Sequence, residues 1–88
     1  MKRKSGFIVR EIAGKTVAIA VGSASKDFHG MLDLNSTGLF IWNQLENDTT
    51  EENVVSELIK IYDVDEARAR DDVRNIITVL KNAGIVEE

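Results

Sequence analysis

The sequence contains no cysteine, a single histidine and no long apolar segment. Without cysteine the chain has no disulfide framework, no thiolate nucleophile and no zinc ribbon. No apolar stretch approaches the roughly 20 residues of a membrane-spanning helix, and the basic start is not followed by the apolar run of a signal peptide. These absences fit a reducing cytosol, so we expect a cytoplasmic protein that has no membrane partner.

Groupings of catalytic or metal-binding residues are lacking as well. His29 lies in a glycine-flanked loop with only Asp27 and Asp33 nearby in sequence, whereas a zinc site needs several converging ligands. The carboxylates stand mostly at predicted helix starts, where the helix dipole favours negative charge. No Ser/His/Asp arrangement and no glycine-rich phosphate loop is present. We therefore predict that the chain is not an enzyme and has no catalytic residue, metal or cofactor.

The length of 88 residues suits one domain, over residues 1–88 with a core at about 7–86. A domain of this size buries roughly 60 to 65% of its unfolded surface, so we expect a groove or a sheet edge and not a deep catalytic cleft. Nucleic-acid affinity comes largely from Lys and Arg that neutralise phosphates. Because the formal net charge is −4, we expect no nucleic-acid partner.

The first part of the chain predicts a β-hairpin and a third strand. Apolar residues alternate over Phe7–Ile12 and again over 15–21, and Gly14 between them can take the positive φ of a tight turn. After a polar loop, Met31–Leu34 is predicted to be a short strand that directly precedes the helical part of the chain. Its alternation predicts that the two leucines face the core and that Met31 and Asp33 face outwards.

The rest of the chain has helical periodicity in three segments. The first, over 37–47, follows a cap at Asn35 or Ser36 and is apolar on most sides, which is typical of a buried central helix. The second opens with a capping box in which Thr49 and Glu52 are the paired residues. The third begins after an aspartate cap and ends at a glycine. Its core stripe comprises Ala69, Val73, Ile76, Ile77 and Leu80.

The predicted fold class is therefore α+β, with a three-stranded antiparallel sheet followed by three helices (βββααα). The second and third helices are joined by a short turn, as in a helix-turn-helix. A two-stranded hairpin alone is only marginally stable, so the third strand and the helices are needed to complete the fold. Only the extreme ends of the chain are expected to be loose.

The third helix carries basic residues on both sides of its core stripe. Arg70, Arg74 and Lys81 share one flank and Arg68 lies on the other. A recognition helix for DNA presents its first turns to base edges, but here these turns are rich in acids. Three interpretations remain open: a solvated face with partners along the helix, pairing with acidic residues of a protein or peptide, and nucleic-acid binding.

An apolar residue on the same helix, Val79, projects away from the core stripe. Singly exposed apolar residues are common, so Val79 alone indicates little. Next to a free sheet edge, however, it could close a groove. An edge strand presents unpaired N–H and C=O groups, to which an extended peptide can add as a further strand. We choose Met31–Leu34 as this edge.

The run from Leu32 to Trp42, LDLNSTGLFIW, resembles the L-N-x-T-G/A-x-x-I-W signature of the PqqD-like family. The resemblance covers about residues 7–86. It implies a winged helix-turn-helix-like fold and a recognition element for ribosomally synthesised, modified peptides. Family members bind the leader of a precursor peptide at the third strand and third helix. Carried over, the peptide-binding residues are Gly30, Met31, Leu32, Asp33, Leu34, Arg68, Asp72, Asn75 and Val79.

The predicted function is thus that of an adaptor that presents a precursor peptide to a modifying enzyme. The resemblance implies a radical S-adenosylmethionine enzyme as this partner, and it leaves the precursor and the pathway open. The alternative is a DNA-binding regulator of winged-helix type. We expect a monomer or a hairpin-swapped dimer, because Leu39 and Phe40 exceed what one core needs and the loop over 22–30 could let the hairpin exchange.

Overall fold

The computed structural model describes residues 1–22 and 31–87, with no account of the side chain of residue 87. Three antiparallel strands precede three helices, so the predicted α+β fold is confirmed, and short strands at the two ends are added to it. In chain order the elements are β1 (Lys2–Arg3), β2 (Phe7–Ile12), β3 (Lys15–Ala20), β4 (Met31–Leu34), α1 (Ser36–Gln44), α2 (Glu51–Ile61), α3 (Glu66–Asn82) and β5 (Val86–Glu87).

The main sheet has the strand order β2-β3-β4, all antiparallel. Ala13 and Gly14 at the β2–β3 turn have φ values of 52° and 80°, as a two-residue turn that follows the twist of the strands requires. Ala18 in the central strand lies opposite Val9 and Leu32 and is fully buried against the helices. Because side chains alternate along a strand, every second residue points away from the helices.

Helix α1 lies at the centre of the core, as its apolar sequence predicted. Asn35 is its N-cap, with Oδ1 accepting a hydrogen bond from the N–H of Gly38 at 2.7 Å. Trp42 is 1% exposed and meets the ring of Phe7 edge to face, with the ring centroids 5.6 Å apart. The other two helices complete the core with Val54, Val55, Leu58, Ala69, Val73, Ile77 and Leu80.

Residues 2–4 and 85–87, near the two ends of the chain, are held by backbone pairing, so the prediction of loose ends was wrong for these described residues. β1 pairs with β5, the N–H of Arg3 donates to the carbonyl of Leu45 at 2.9 Å, and the N–H of Lys4 donates to the carbonyl of Ile85 at 2.7 Å. Ile85 is 1% exposed. A two-residue strand of basic residues has no periodicity, so β1 could not be identified from the sequence.

The start of α2 differs by one residue from the prediction, and the cause is the first residues of the chain. The N-cap is Thr50, whose Oγ1 accepts the N–H of Asn53 at 3.1 Å. Thr49 donates its own N–H to the carbonyl of Met1 at 2.9 Å, so this N–H is not available to the Glu52 side chain as a capping box requires. The capping box predicted for Thr49 and Glu52 was therefore wrong.

Leu39 and Phe40 both have a place within this one chain. They are half-buried against the core, and the ring of Phe40 meets that of Tyr62 edge to face at a centroid distance of 5.9 Å. The prediction that these two side chains exceed what one core can bury was therefore wrong. Residues 23–30, most of the loop on which a hairpin exchange depends, lie outside the described part of the chain, so the oligomeric state stays a prediction.

Candidate functional site

Strand β4 lies at one edge of the main sheet, as predicted. Its register places Met31 opposite Ile19 and Leu34 opposite Thr16 on β3, and no other described strand pairs with it. In an antiparallel pair, successive residues direct their N–H and C=O groups alternately to one neighbour and to the other side. Two of the four residues of β4 therefore offer their backbone groups to an added strand.

The side chains of β4 have the two orientations that the sequence predicts. Leu34 is 6% exposed and Leu32 is half-buried, and both belong to or pack against the core. Met31 is 58% exposed, and the side chain of Asp33 is 69% exposed. An added strand would therefore meet buried leucine side chains on the helix side of the sheet and exposed side chains on the other.

Helix α1 packs closely at Gly38 against one side chain of β4 and one of helix α3. A Cβ atom on this glycine would lie 3.6 Å from Cδ2 of Leu34, 3.7 Å from Cδ1 of Ile76 and 3.1 Å from Oδ1 of Asn35. Leu34 from the strand and Ile76 from the third helix thus converge over the first turn of α1. Ile76 is half-buried, so it marks the border between the core and the outer surface of α3.

The flank of α3 beyond Ile76 carries the four helix residues that the sequence predicts for a peptide site. Val79 is 48% exposed, and Asn75 is also exposed. The side chain of Arg68 is 73% exposed, with its Nε 3.8 Å from Oδ2 of Asp72 one turn along the helix. We call this flank, together with β4, the β4–α3 surface; its two parts come together where Leu34, the last residue of β4, and Ile76 of α3 both approach Gly38.

The opposite flank of α3 is occupied by helix α2. Arg70 forms a two-point ion pair with Glu52, in which Nη2 lies 3.2 Å from Oε2, and it also approaches Glu66 at 3.6 Å. Arg74 donates from Nε to Oε1 of Glu51 at 3.2 Å. The hydrogen bond and the charge of Arg70 lower the pKa of the Glu52 carboxyl. Arg70 and Arg74 thus have intramolecular partners, but these are mainly carboxylates of α2. The partners along the helix that one sequence interpretation proposes are present for Arg70 with Glu66 and for Arg68 with Asp72.

Two parts of this region could not be identified from the sequence. Ile76 was assigned to the core stripe, although it also borders the exposed flank. A recess of about 400 Å³ adjoins the end of β4, and it forms where the β2–β3 turn meets the β4–α1 junction, which are distant in the sequence. It is lined by Gly14, Lys15, Thr16, Asp33, Leu34, Asn35 and Ser36.

Some sequence predictions concern residues that the structure does not describe. Gly30, assigned to the peptide site, and His29, considered as a metal ligand, both lie in the segment 23–30. In the described ranges 1–22 and 31–87, no three His, Cys, Asp or Glu side chains are grouped so that they could hold a metal ion. Within the same ranges, no helix combines the length and the apolar character needed to cross a bilayer.

Two solved structures have a fold similar to that of this chain. TbiB1 in complex with the TbiA(beta) leader peptide has a TM-score of 0.73 at 23% identity, over 99% of this chain and 95% of that one. Lasso peptide synthetase B1 complexed with the leader peptide has a TM-score of 0.71 at 21% identity, over 99% and 96%. No curated protein sequence matches the chain. The family model described as coenzyme PQQ synthesis protein D (PqqD) matches residues 16–86, most of the chain from β3 to β5, and this protein belongs to that family.

Proposed function

We propose that this protein is an adaptor that binds the leader of a ribosomally synthesised precursor peptide at the β4–α3 surface and presents the peptide to a modifying enzyme. The observation that carries the proposal is an edge strand, β4, and an exposed helix flank that contains Val79, which are linked through Leu34 and Ile76 where both approach Gly38. Membership of the PqqD family supports a peptide ligand, as do two similar folds that were solved with leader peptides.

The binding mode that we propose is addition of the leader as a strand along β4. Each backbone hydrogen bond contributes about 0.5–1.5 kcal/mol net, and a strand of four residues offers few of them. Apolar contacts must therefore add to the affinity. Val79 is about half exposed, and covering what remains would contribute about 1 kcal/mol. Met31–Leu34 would thus align the leader, while Val79 and Ile76 would contact its apolar side chains.

An adaptor of this kind needs no catalytic group of its own, and we propose that the protein is not an enzyme. Holding the precursor next to its modifying enzyme raises the effective concentration of one for the other. The family resemblance supports a radical S-adenosylmethionine enzyme as the partner. Duplex DNA is a weaker candidate ligand, because Arg70 and Arg74 already pair with carboxylates of α2 and the first turn of α3 contains Glu66 after the Asp65 cap.

The proposal is tested by placing a charge on the β4–α3 surface. Val79→Asp should weaken binding of the synthetic leader of the precursor encoded next to this gene by tenfold or more, as measured by titration calorimetry, because a desolvated carboxylate is costly. The free energy of unfolding should change little, since Val79 is exposed. In the wild type, leader binding should shift the backbone amide resonances of Met31–Leu34.

Thr78→Asp is the matched control for this experiment. Thr78 is the adjacent exposed residue of α3 and lies outside the β4–α3 surface, so the same added charge should leave leader affinity unchanged. Equal losses in both variants would indicate a general effect of charge. A wild-type protein that binds no leader, or a Val79→Asp variant of unchanged affinity, would contradict the proposed site.

A further inference from the structure

The main sheet has a second apolar surface, on the face away from the helices. Ala18 points into the core, so its neighbours in β3 point to the opposite face. There, the strand register aligns Ile8, Ile19 and Met31 side by side across β2, β3 and β4. Ile8 and Ile19 are half-buried and Met31 is 58% exposed. We call these three residues the outer row.

The neighbouring row on this face is apolar in the middle and charged at both ends. It consists of Arg10, Val17 and Asp33, which lie opposite one another on the three strands. Val17 is only 3% exposed although it is not part of the main core cluster. The side chain of Asp33 is 69% exposed, and the Nζ of Lys15, which is itself largely exposed, lies 4.0 Å from its Oδ2.

Both rows end at β4, where the proposed leader strand would add. Side chains of an added strand alternate between the two faces of the sheet, so only half of them can meet helix α3. The other half must continue the rows on the outer face. One leader residue would stand beside Met31 and extend the outer row, and another would stand beside Asp33. Because Met31 and Asp33 are two residues apart, these two leader residues are also two apart.

We infer that the outer face selects the leader as well, and that it takes an extended peptide with an apolar side chain beside Met31 and a lysine or arginine beside Asp33. This inference rests on the proposed function. Apolar and oppositely charged pairs across neighbouring strands are favourable, whereas like charges directly opposite are not. The exposed carboxylate of Asp33 makes its position on the outer face negatively charged, and Met31 extends an existing apolar row.

The experiment is selection from a displayed library of random extended peptides, with the wild type and two variants as baits. The wild type should enrich peptides in which an apolar residue stands two positions from Lys or Arg. Asp33→Lys should replace the basic preference by Asp or Glu and keep the apolar one. Met31→Ser should weaken the apolar preference and keep the basic one. In a selected peptide, Lys→Glu should lower wild-type affinity by about fivefold and raise the affinity of Asp33→Lys.

Asp63→Lys is the matched control, because Asp63 is an exposed acid in the α2–α3 connection and lies outside the β4–α3 surface. It should select the same peptides as the wild type. Asp33→Asn, which removes the charge without adding one, should lose the basic preference without gaining an acidic one. Circular dichroism should show that every bait is folded.

The outcomes separate this inference from the proposed function. If the wild type enriches peptides whose binding depends on Val79 but whose charged position does not respond to Asp33→Lys, the outer-face inference is wrong and the proposed function stands. If the wild type enriches no peptide, or only peptides that bind Val79→Asp equally well, the proposed function is wrong, and the outer-face inference with it.

Discussion

Helix α3 has charged residues on both sides of its buried stripe, and the two sides differ in what they contact. On the α2 side, Arg70 and Arg74 reach carboxylates of the neighbouring helix. On the β4 side, the side chain of Arg68 is 73% exposed and its Nε lies 3.8 Å from Asp72 of its own helix, while Val79 is 48% exposed. Similar residue types thus join two helices on one side and remain accessible on the other.

This difference indicates how a chain of 88 residues can combine stability with a binding surface. The stripe from Ala69 to Leu80 is buried by α1 and α2, and the α2 flank adds ion pairs at the margin of that contact. The β4 flank lies outside this packing: Leu34 of β4 and Ile76 of α3 both approach Gly38 of α1, and Val79 beyond Ile76 stays exposed. A partner that covers the β4 flank should therefore add to an already complete core.

The largest expected effect compares two adjacent residues of α3. Leu80 is fully buried, so Leu80→Ala should lower the free energy of unfolding by about 2–5 kcal/mol through lost burial and a residual cavity. Val79→Ala should change it by less than about 0.5 kcal/mol and should weaken leader binding. Urea denaturation of both variants measures the first quantity. If Val79→Ala destabilised the protein as much as Leu80→Ala, the β4 flank would be part of the core.

Much of this helix could be predicted from its own sequence. The Asp65 cap, the stripe that includes Val73 and Leu80, and the glycine at position 84 are local or periodic features, and the structure confirms them. Local patterns also predicted the bounds of the three strands of the main sheet to within one residue. In contrast, β1 and the exact start of α2 depend on contacts between distant parts of the chain, which no local pattern reveals.

The site could be predicted only in part, for the same reason. That β4 is short followed from its flanking residues, whereas its place at the sheet edge was a choice among the strands, which the strand order confirms. That Val79 leaves the stripe followed from its position on the helix. Which basic flank is free does not follow, because it depends on where α2 packs and places Glu51 and Glu52. The outer row likewise requires the register of three strands.

A smaller effect is expected from removing one arginine on each flank. Arg70→Ala deletes a two-point ion pair with Glu52, so it should lower the urea midpoint by a fraction of the Leu80→Ala effect and leave leader binding unchanged. Arg68→Ala should leave the midpoint nearly unchanged and alter the salt dependence of leader binding, as charges at the rim of an interface do. The reverse result, with binding dependent on Arg70 and stability on Arg68, would contradict the division between the flanks.

The smallest effect concerns the pH dependence of the α2 flank. The hydrogen bond and charge of Arg70 lower the pKa of Glu52 in the folded protein. Stabilisation from this carboxylate is therefore fully present above the pKa of a glutamate in the unfolded chain, and it is lost as the pH falls through the lower folded value.

Wild type and Glu52→Gln should differ in urea midpoint at neutral pH and converge in acid, and added salt should reduce the difference because the pair is exposed. Arg70→Ala supplies the control, since without the arginine the effect of Glu52→Gln should shrink to the smaller contributions of Arg74 and of the helix dipole. A difference that persisted unchanged in acid, where both side chains are neutral and of nearly equal size, would mean that the effect of Glu52→Gln does not come from the charge of Glu52, and the proposed electrostatic contrast between the two flanks would be wrong.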